Sequence, residues 1–331
     1  MLRRFFVANA VWGSLIVAGC AAPPPPPATL RVNLFPGSSN LPLLAGINKG
    51  FFARRGLTIE VQNTPDSDSQ RAGLPAGRFD IAIAAVDNAV AMVERAKNDV
   101  IIVTGGDSGM NEFMVRPDIA SFANIRGKSL AVDAPNTAYA LVAKKILKNN
   151  GLLEGRDYTL KLAGGTQGRA AAMVSNPDLA ASMVNPPFSF TVRERGIKSL
   201  GRATDLAGAY QAQGAFVMRD WARQNASALE RYIAAYIEGS RYAMDPANRA
   251  EMIKLLEDRF KLPVAVATQS YEALMTPGFG LARDARFSLE GFNNVLSIRA
   301  EMEGQGGGRA PDPAKFLDLS YYDRAMRMVG G

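Results

Sequence analysis

The sequence predicts an α/β protein with two lobes, each built on a mostly parallel sheet flanked by helices and joined by two crossings. Short β-branched runs alternate with helical stretches along residues 29–204, which is typical of βα units. Two further strand-like stretches, 112–118 and 213–220, bracket the second group of these units. The chain of 331 residues is long enough for two cores, and its 47% hydrophobic content is ordinary for a globular protein.

The first lobe is predicted from a group of apolar runs that end in polar or glycine residues. Predicted strands cover 29–35, 57–64, 79–86 and 100–106, and helices are predicted near 41–55, 69–76 and 87–97. This alternation favours strands that run side by side in one direction, with helices packed on the faces of the sheet.

The second lobe is predicted from a similar group that follows. Its strands are expected at 128–134, 158–164, 179–185 and 198–204, and its helices at 137–149, 167–175 and 187–195. We therefore assign residues 29–114 and 214–331 to the first lobe and residues 115–213 to the second. Hinge motion between the lobes is expected at 112–118 and 205–216.

The remaining chain is predicted to be helical. A long helix near 225–244 places apolar side chains on one face, at Leu229, Tyr232, Ile233, Tyr236 and Ile237. Asp245 and Pro246 indicate the start of a further helix that reaches about Phe260, Asp220 is expected to cap a short turn, and Ser320 to cap a terminal helix. We place Trp221 just after the return crossing, where it is expected to sense lobe movement.

The N-terminus predicts export and a lipid anchor. Arg3 and Arg4 precede an apolar segment, 5–18, which is shorter than the roughly 20 residues that span a bilayer. Val17-Ala18-Gly19-Cys20 resembles a bacterial lipobox, and Cys20 is the only cysteine. The alternative is an ordinary secretory signal with an incidental cysteine, but a cut after Ala22 would place Pro23 next to the scissile bond.

We therefore predict a signal peptide over 1–19 and lipidation at Cys20, followed by a proline-rich tether over 20–28. Five consecutive prolines, 23–27, favour an extended polyproline II segment. The expected location is outside the cytoplasm, in the periplasm, on a membrane-bound acyl anchor.

The composition excludes several kinds of chemistry. The chain contains no histidine, so a Ser-His-Asp triad and histidine-ligated zinc are both excluded. Gly106-Asp107-Ser108-Gly109 matches the string around a serine-protease nucleophile, but Ser108 has no imidazole to activate it. The net charge of +7 falls to +5 without Arg3 and Arg4 (7 − 2), and no dense basic run indicates nucleic-acid binding. We expect no catalytic residue, no metal site and no cofactor.

Several stretches resemble one family. Residues 41–61, with Gly50-Phe51-Phe52, resemble the opening helix and second strand of periplasmic solute-binding proteins of the sulfonate, nitrate and thiamine-precursor family. Residues 76–90, 124–152 and 179–200 are similar to further stretches of that family, in the same order. The resemblance implies a type II periplasmic binding fold, in which two lobes close on a ligand.

The resemblance also implies a function. It predicts a monomeric receptor that delivers a small organic ligand, such as a sulfonate, a pyrimidine or an organic acid, to the permease and ATPase of an ABC importer. A sensor or interaction lipoprotein without a permease is the alternative. The family's eukaryotic enzymes, which make the thiamine pyrimidine, consume a histidine of their own and use a cysteine-rich iron motif; this chain has neither.

Candidate ligand-binding residues follow from the fold class, because ligands of open α/β sheets bind beyond the carboxyl ends of the strands. Helix N-termini there offer free N–H groups. The candidates lie in six strand-to-helix loops: Phe35, Ser38, Ser39, Asp87, Asn88, Asp107, Ser108, Asp133, Asn136, Thr137, Thr166, Gln167, Asn185 and Phe188.

Each candidate also has a purely structural alternative. The hydroxyls of Ser38, Ser39, Thr137 and Thr166 are common helix caps. Asp107 and Ser108 could form an ordinary turn, and an aromatic side chain at a strand end is often part of the core.

The lipobox generates a direct prediction. Expressed in a bacterium, the full chain should fractionate with membranes, and Cys20→Ala should release it or leave it uncleaved, because only the thiol can accept the lipid. Membrane fractionation with mass determination of the processed N-terminus measures this. Equal membrane association and normal processing of both forms would contradict lipidation.

Overall fold

A computed structural model describes residues 26–330 of the chain. The predicted signal peptide, Cys20 and most of the proline run lie outside the described residues. Within the described part, no helix is both long and apolar enough to cross a membrane.

The ten strands and fourteen α-helices of the described residues follow the predicted alternation closely. The strands are β1 Ala28–Leu34, β2 Leu57–Asn63, β3 Ile81–Ala85, β4 Val100–Ile102, β5 Glu112–Val115, β6 Lys128–Val132, β7 Tyr158–Leu162, β8 Leu179–Val184, β9 Lys198–Arg202 and β10 Gln213–Met218. The helices are α1 Leu41–Asn48, α2 Phe51–Arg54, α3 Ser67–Gly73, α4 Asp87–Glu94, α5 Ala138–Asn149, α6 Thr166–Ser175, α7 Phe188–Arg193, α8 Ala203–Ala207, α9 Arg219–Gln224, α10 Ala226–Met244, α11 Arg249–Phe260, α12 Val264–Met275, α13 Leu289–Glu303 and α14 Ser320–Met328.

Two five-stranded sheets form the two lobes, which confirms the predicted fold class. The first sheet has the order β2-β1-β3-β10-β4, and the second has the order β7-β6-β8-β5-β9. In each sheet the early strands are parallel and one strand is antiparallel: β10 in the first sheet and β5 in the second. These two antiparallel strands, β5 and β10, are the ones that directly follow a crossing between the lobes.

The two crossings lie slightly before the expected hinge positions. β5 pairs entirely within the second sheet, so the predicted division at 114/115 falls inside a strand. The chain leaves the first sheet after Ile102 and returns at Gln213, which leaves 103–111 and 203–212 as the crossing segments. The run 100–106 ends as a strand at Ile102 because the chain then turns toward the second lobe.

Two local expectations were inaccurate, and a third was confirmed. The helix near 41–55 is two helices, because Gly50 adopts a left-handed conformation between α1 and α2, with a φ of 70°. Asp220 does not cap a turn: it lies inside α9, which follows Met218 directly. Asp245 does cap as expected, since its carboxylate accepts a hydrogen bond from the Ala247 N–H at 2.9 Å.

The lobes also meet away from the cleft, where α13 packs on α5. One apolar cluster runs through this contact and includes Val90 and Phe292 with Leu141 and Ile146 of α5. On its surface, the Glu301 carboxylate binds the ammonium groups of Lys145 and Lys148 at 2.7 and 2.8 Å. The C-terminal part of the first lobe therefore reaches over to the second.

A buried ion pair stabilises the same region. Arg299 of α13 is only 1% exposed, and its guanidinium donates to both carboxylate oxygens of Asp87 and to the carboxylate of Glu303. It also donates to the Asn136 main-chain oxygen of the second lobe at 2.9 Å. Burial works to lower the pKa of Arg299, but Asp87 and Glu303 outweigh it and raise that pKa above its usual value.

This pair generates a stability prediction. Asp87→Ala should lower the free energy of unfolding by about 3–5 kcal/mol, because it leaves a buried guanidinium with only part of its compensation. Urea unfolding followed by circular dichroism measures the change. The matched control is Asp220→Ala, whose side chain is 79% exposed and pairs with Arg223; the loss there should stay below about 1 kcal/mol. Equal losses in the two variants would contradict the prediction.

Candidate functional site

A cavity lies between the two lobes, at the carboxyl ends of the parallel strands. It encloses about 690 Å³ of atom-free space, including its solvent-open mouth. Its lining comes from both lobes and from the crossings: Phe35, Pro36, Gly37, Ser39, Ser67, Ile83, Ala84, Ala85, Asn88, Asp107, Met110, Asp133, Thr137, Ala138, Tyr139, Gly165, Thr166, Arg169, Asn185 and Gln213.

The first-lobe wall is shaped by the loop that follows β1. The Asn40 amide nitrogen donates to the main-chain oxygens of Phe35 and Gly37, at 2.7 and 3.1 Å, and so holds this loop. The Asn40 side-chain oxygen then accepts from the Gln213 amide nitrogen at 3.0 Å. The aromatic ring of Phe35 is thereby fixed at the cavity wall beside the start of the return strand.

The second-lobe wall contains the only cation of the lining. Arg169 lies three residues after Thr166 on α6 and is 4% exposed. Its guanidinium donates to the main-chain oxygens of Gly164 and Met183 and to the Thr166 hydroxyl, at 3.0 to 3.2 Å. Burial lowers the pKa of Arg169, and the negative charge of Asp133 partly opposes this. Carbonyl and hydroxyl oxygens, rather than a carboxylate, therefore provide its hydrogen-bond acceptors.

Hydrogen bonds join the lobes around the cavity. The Ser38 N–H and hydroxyl both donate to the Pro186 main-chain oxygen, at 3.3 and 3.0 Å. The Ser67 N–H donates to Asp133 Oδ2 at 3.0 Å, and the Gly165 N–H donates to the Pro65 main-chain oxygen at 2.9 Å. The described structure is therefore closed, with the lobes in contact over the cavity.

Closure brings Gly165 of the second lobe against the first lobe. A Cβ atom at this position would lie 3.0 Å from the Pro65 oxygen and 3.1 Å from the Phe35 ring. Both distances are tighter than ordinary van der Waals contact. The absence of a side chain at Gly165 is thus what lets the two walls approach each other here.

Asp107 connects the two crossings and also lines the cavity. Its Oδ1 accepts from the Gly109 N–H at 2.7 Å and from the Gln213 N–H at 3.3 Å, while its main-chain oxygen accepts from the Ala212 N–H. Burial raises the pKa of Asp107 to about 6, and the two backbone N–H groups partly counter that rise. The carboxyl group therefore titrates close to neutral pH.

Arg71 of the first lobe reaches across to the second. Its guanidinium donates to the Asn88 side-chain oxygen and to both the side-chain and main-chain oxygens of Asn136, at 2.8 to 3.3 Å. Burial lowers the pKa of Arg71. Because Arg299 donates to the same Asn136 main-chain oxygen, two first-lobe cations converge on one second-lobe carbonyl.

The structure brings eight of the fourteen predicted site residues to the cavity. They share a position at a strand end or helix start that faces the other lobe: Phe35, Ser39, Asn88, Asp107, Asp133, Thr137, Thr166 and Asn185. The structural alternative for Thr137, a hydroxyl that caps a helix, is not seen: Thr137 precedes α5, but its hydroxyl donates to the Ala134 main-chain oxygen instead.

The other six lie outside the cavity lining because their side chains are engaged or directed elsewhere. Ser38 binds Pro186 across the interface, Asp87 pairs with Arg299, and Asn136 accepts from Arg71. Ser108 is half-buried, and its N–H donates to the Gly280 main-chain oxygen. Gln167 and Phe188 line a neighbouring groove instead.

Sequence reasoning missed four polar side chains of the lining, Ser67, Tyr139, Arg169 and Gln213, and apolar ones such as Met110 and Ile83. One of them could have been found, since Arg169 lies three residues after Thr166 and therefore shares its helix face. Gln213 could not, because its place depends on how the return strand enters the first sheet. Across the described residues, no cluster of three or more acidic or thiol side chains is placed to hold a metal ion.

Comparisons with known proteins agree with this architecture. A family model described as NMT1/THI5 like matches residues 38–250. The nitrate/nitrite binding protein NrtA of a Nostoc species is 27% identical over 275 residues, which cover 76% of this chain and 62% of the relative. The chain thus spans less than two thirds of that relative's length.

Solved structures share the fold. A protein from Bordetella bronchiseptica RB50 superposes with a TM-score of 0.79 at 18% identity, covering 91% of this chain and 98% of its own. The periplasmic nitrate-binding protein NrtA from Synechocystis PCC 6803 gives 0.74 at 15% identity, with 92% and 89% covered. The alkanesulfonate-binding protein SsuA from Xanthomonas axonopodis pv. citri gives 0.68 at 17% identity, with 90% and 98% covered. The two lobes therefore form a periplasmic-binding-protein fold.

The contact of Arg71 with Asn136 generates a prediction about closure. Arg71→Met removes hydrogen bonds that cross between the lobes, so the ligand-free protein should spend more time open and show a larger radius of gyration. Small-angle X-ray scattering measures this. Arg78→Met, at an exposed first-lobe position, is the matched control and should leave the scattering unchanged. Identical curves for the wild type and both variants would contradict a role for Arg71 in closure.

Proposed function

Because this chain belongs to the NMT1/THI5-like family, we propose that it is a solute-binding protein of an ABC importer. It captures a small organic ligand in the interlobe cavity and delivers it to a membrane permease and its ATPase. The observation that carries the proposal is the lining of the cavity, to which both lobes contribute polar side chains. A ligand held there contacts Ser39 and Asn88 of the first lobe together with Thr137 and Arg169 of the second.

A ligand that contacts both lobes at once stabilises the closed conformation relative to the open one. A ligand shifts an open–closed equilibrium only through contacts that differ between the two states. In the closed state both walls reach the ligand, whereas opening removes one of them. The crossing segments 103–111 and 203–212 are where the backbone would bend, and Asp107 binds both of them.

The relatives support the same class of function. The Nostoc and Synechocystis relatives are described as nitrate-binding, and the Xanthomonas structure as alkanesulfonate-binding. We propose a periplasmic location and a lipid anchor at Cys20, on the strength of the lipobox and the location that the Synechocystis protein's description states. The protein is proposed to act as a monomer.

We propose no catalytic role for this site. The chain contains no histidine, and Ser108, the candidate nucleophile, lies off the cavity lining. Within the lining, the hydroxyls of Ser39, Ser67, Thr137 and Thr166 have no neighbouring imidazole to accept a proton. Binding, rather than nucleophilic attack, is what these groups are suited to.

The proposal predicts that one compound both stabilises and compacts the protein. At a hundredfold excess over Kd, a true ligand should add about 2.7 kcal/mol to the free energy of unfolding. It should also lower the radius of gyration, because contacts with both lobes favour the closed state. Differential scanning fluorimetry over a compound library, followed by small-angle scattering with the hits, measures both effects.

Trp221 is not a suitable reporter for this experiment, contrary to the expectation from the sequence. It lies on α9, beyond the far end of β10, and packs on the first-lobe core. β10 enters the first sheet at Gln213 beside the cavity and carries the chain about 17 Å away from it.

A compound that binds tightly but leaves the scattering curve of an initially open sample unchanged would contradict ligand-induced closure of the lobes.

A further inference from the structure

The cavity presents buried hydrogen-bond acceptors without donors. Four lining side chains have an oxygen that accepts no hydrogen bond from the described residues, and we call them the acceptor set: Asp107, Asp133, Asn185 and Gln213. Gln213 Oε1, Asp133 Oδ1 and Asn185 Oδ1 are buried and receive no hydrogen bond from the described residues. The Asp107 carboxylate accepts both of its hydrogen bonds from the described residues through Oδ1, so Oδ2 accepts none from them.

The orientation of the Gln213 amide is fixed by its neighbours. Asn40 donates through its amide nitrogen to two main-chain oxygens, so its own oxygen must face Gln213. Only the amide nitrogen of Gln213 can donate to that oxygen, at 3.0 Å. Gln213 is 93% buried, since its exposure is 7%, and its unpaired oxygen belongs to a residue that lines the cavity. A reversed amide would place two acceptors against each other.

The charged side chains of the cavity lining also favour a ligand with a hydrogen-bond donor or a positive charge. Asp107 and Asp133 are two carboxylates, and Arg169 is the single cation. The guanidinium of Arg169 already donates to three oxygen atoms of its own lobe. With both carboxylates ionised, the lining carries one surplus negative charge, and buried charges are stable only when paired.

We propose, as a refinement that rests on the proposed function, that the ligand carries a primary ammonium or amino group, which donates to the acceptor set. Other groups of the lining, such as the Thr166 and Ser39 hydroxyls, can donate to a carbonyl or acid group elsewhere on the same ligand. The ligand class is therefore an amino-bearing small molecule, and not a bare oxyanion.

A donor-free anion fits this lining poorly. It would add a negative charge beside Asp107 and Asp133 and would leave the Gln213 oxygen unpaired. Each buried acceptor that stays unsatisfied costs about 1–3 kcal/mol. The cavity of this chain thus differs in chemistry from what nitrate or an alkanesulfonate, the ligands in the relatives' descriptions, would require.

Protonation of Asp107 gives the proposal a second readout. The groups that face this carboxyl are Tyr139 of α5 and Tyr236 of α10, with Arg169 and Asp133 on the opposite wall. Burial raises the Asp107 pKa to about 6, and an ammonium group would bind the ionised form. Binding should therefore weaken about tenfold between pH 7 and pH 5, because protonation removes the charged acceptor.

The experiment compares amines with their deaminated partners on the full mature protein. Probe pairs are 3-aminopropionate with propionate and 4-(aminomethyl)benzoate with 4-methylbenzoate, and nitrate and ethanesulfonate serve as donor-free anions. Differential scanning fluorimetry and isothermal titration calorimetry give the stabilisation and the Kd. The expected result is binding by at least one amino member, at least tenfold tighter than its partner, with the pH dependence above.

Two matched variants locate the effect. Asp107→Asn keeps the oxygen that accepts from Gly109 and Gln213 but turns Oδ2 into a donor, so it should abolish the amine preference and the pH dependence. Asp118→Asn is the same substitution at a second-lobe surface position with a 61% exposed side chain and should change neither. Circular dichroism confirms that both variants fold.

The possible outcomes separate the two proposals. Binding of propionate, nitrate or ethanesulfonate as tightly as the amines, with compaction in scattering, would overturn the ligand class and leave the proposed function standing. Amine binding that Asp107→Asn does not weaken would also overturn it. If no probe and no library compound stabilises or compacts the protein, the proposed function and the ligand class fall together.

Discussion

The architecture depends on one carboxylate, that of Asp107, which binds both segments of chain that run between the sheets. Through a single oxygen it accepts N–H groups from the outgoing segment at Gly109 and from the returning strand at Gln213. The two crossings are therefore fixed to each other at the point where the cavity begins. The same group is buried enough to titrate near pH 6, so the element that joins the lobes is also a chemically responsive part of the site.

The closed arrangement combines two kinds of contact. Around the cavity, single hydrogen bonds such as Ser67 to Asp133 are individually weak and can be exchanged for water as the lobes part. Behind it, α13 packs on α5, and Arg299 binds Asp87 while reaching the Asn136 carbonyl. Weak contacts around the cavity and firmer packing behind it allow the lobes to separate at the cavity while they stay in contact at α13 and α5.

The sequence predicted the fold well because the information is local. Alternating β-branched runs and amphipathic helices specify strands and helices directly, and their order specifies two sheets. The sequence also predicted which loops line the cavity, but it did not predict for every residue whether the side chain faces the cavity. Asp87 and Asn88 are adjacent at the start of α4, yet Asp87 pairs with Arg299, 212 residues later, and only Asn88 reaches the cavity. Which neighbour faces the cavity is decided by partners that are distant in sequence, as for Gln213.

The strand order of the first sheet has a consequence for biogenesis. β10 lies between β3 and β4, so the first sheet stays incomplete until residue 218 has been made. The second lobe, by contrast, is built from one continuous stretch, 112–202, and can assemble as soon as that stretch emerges. Until β10 arrives, one edge of β3 is unpaired and β4 pairs with no strand of its sheet, so other chains could bind to either strand. A protein of this topology therefore finishes its N-terminal lobe last, and that interval is when it depends most on protection from aggregation.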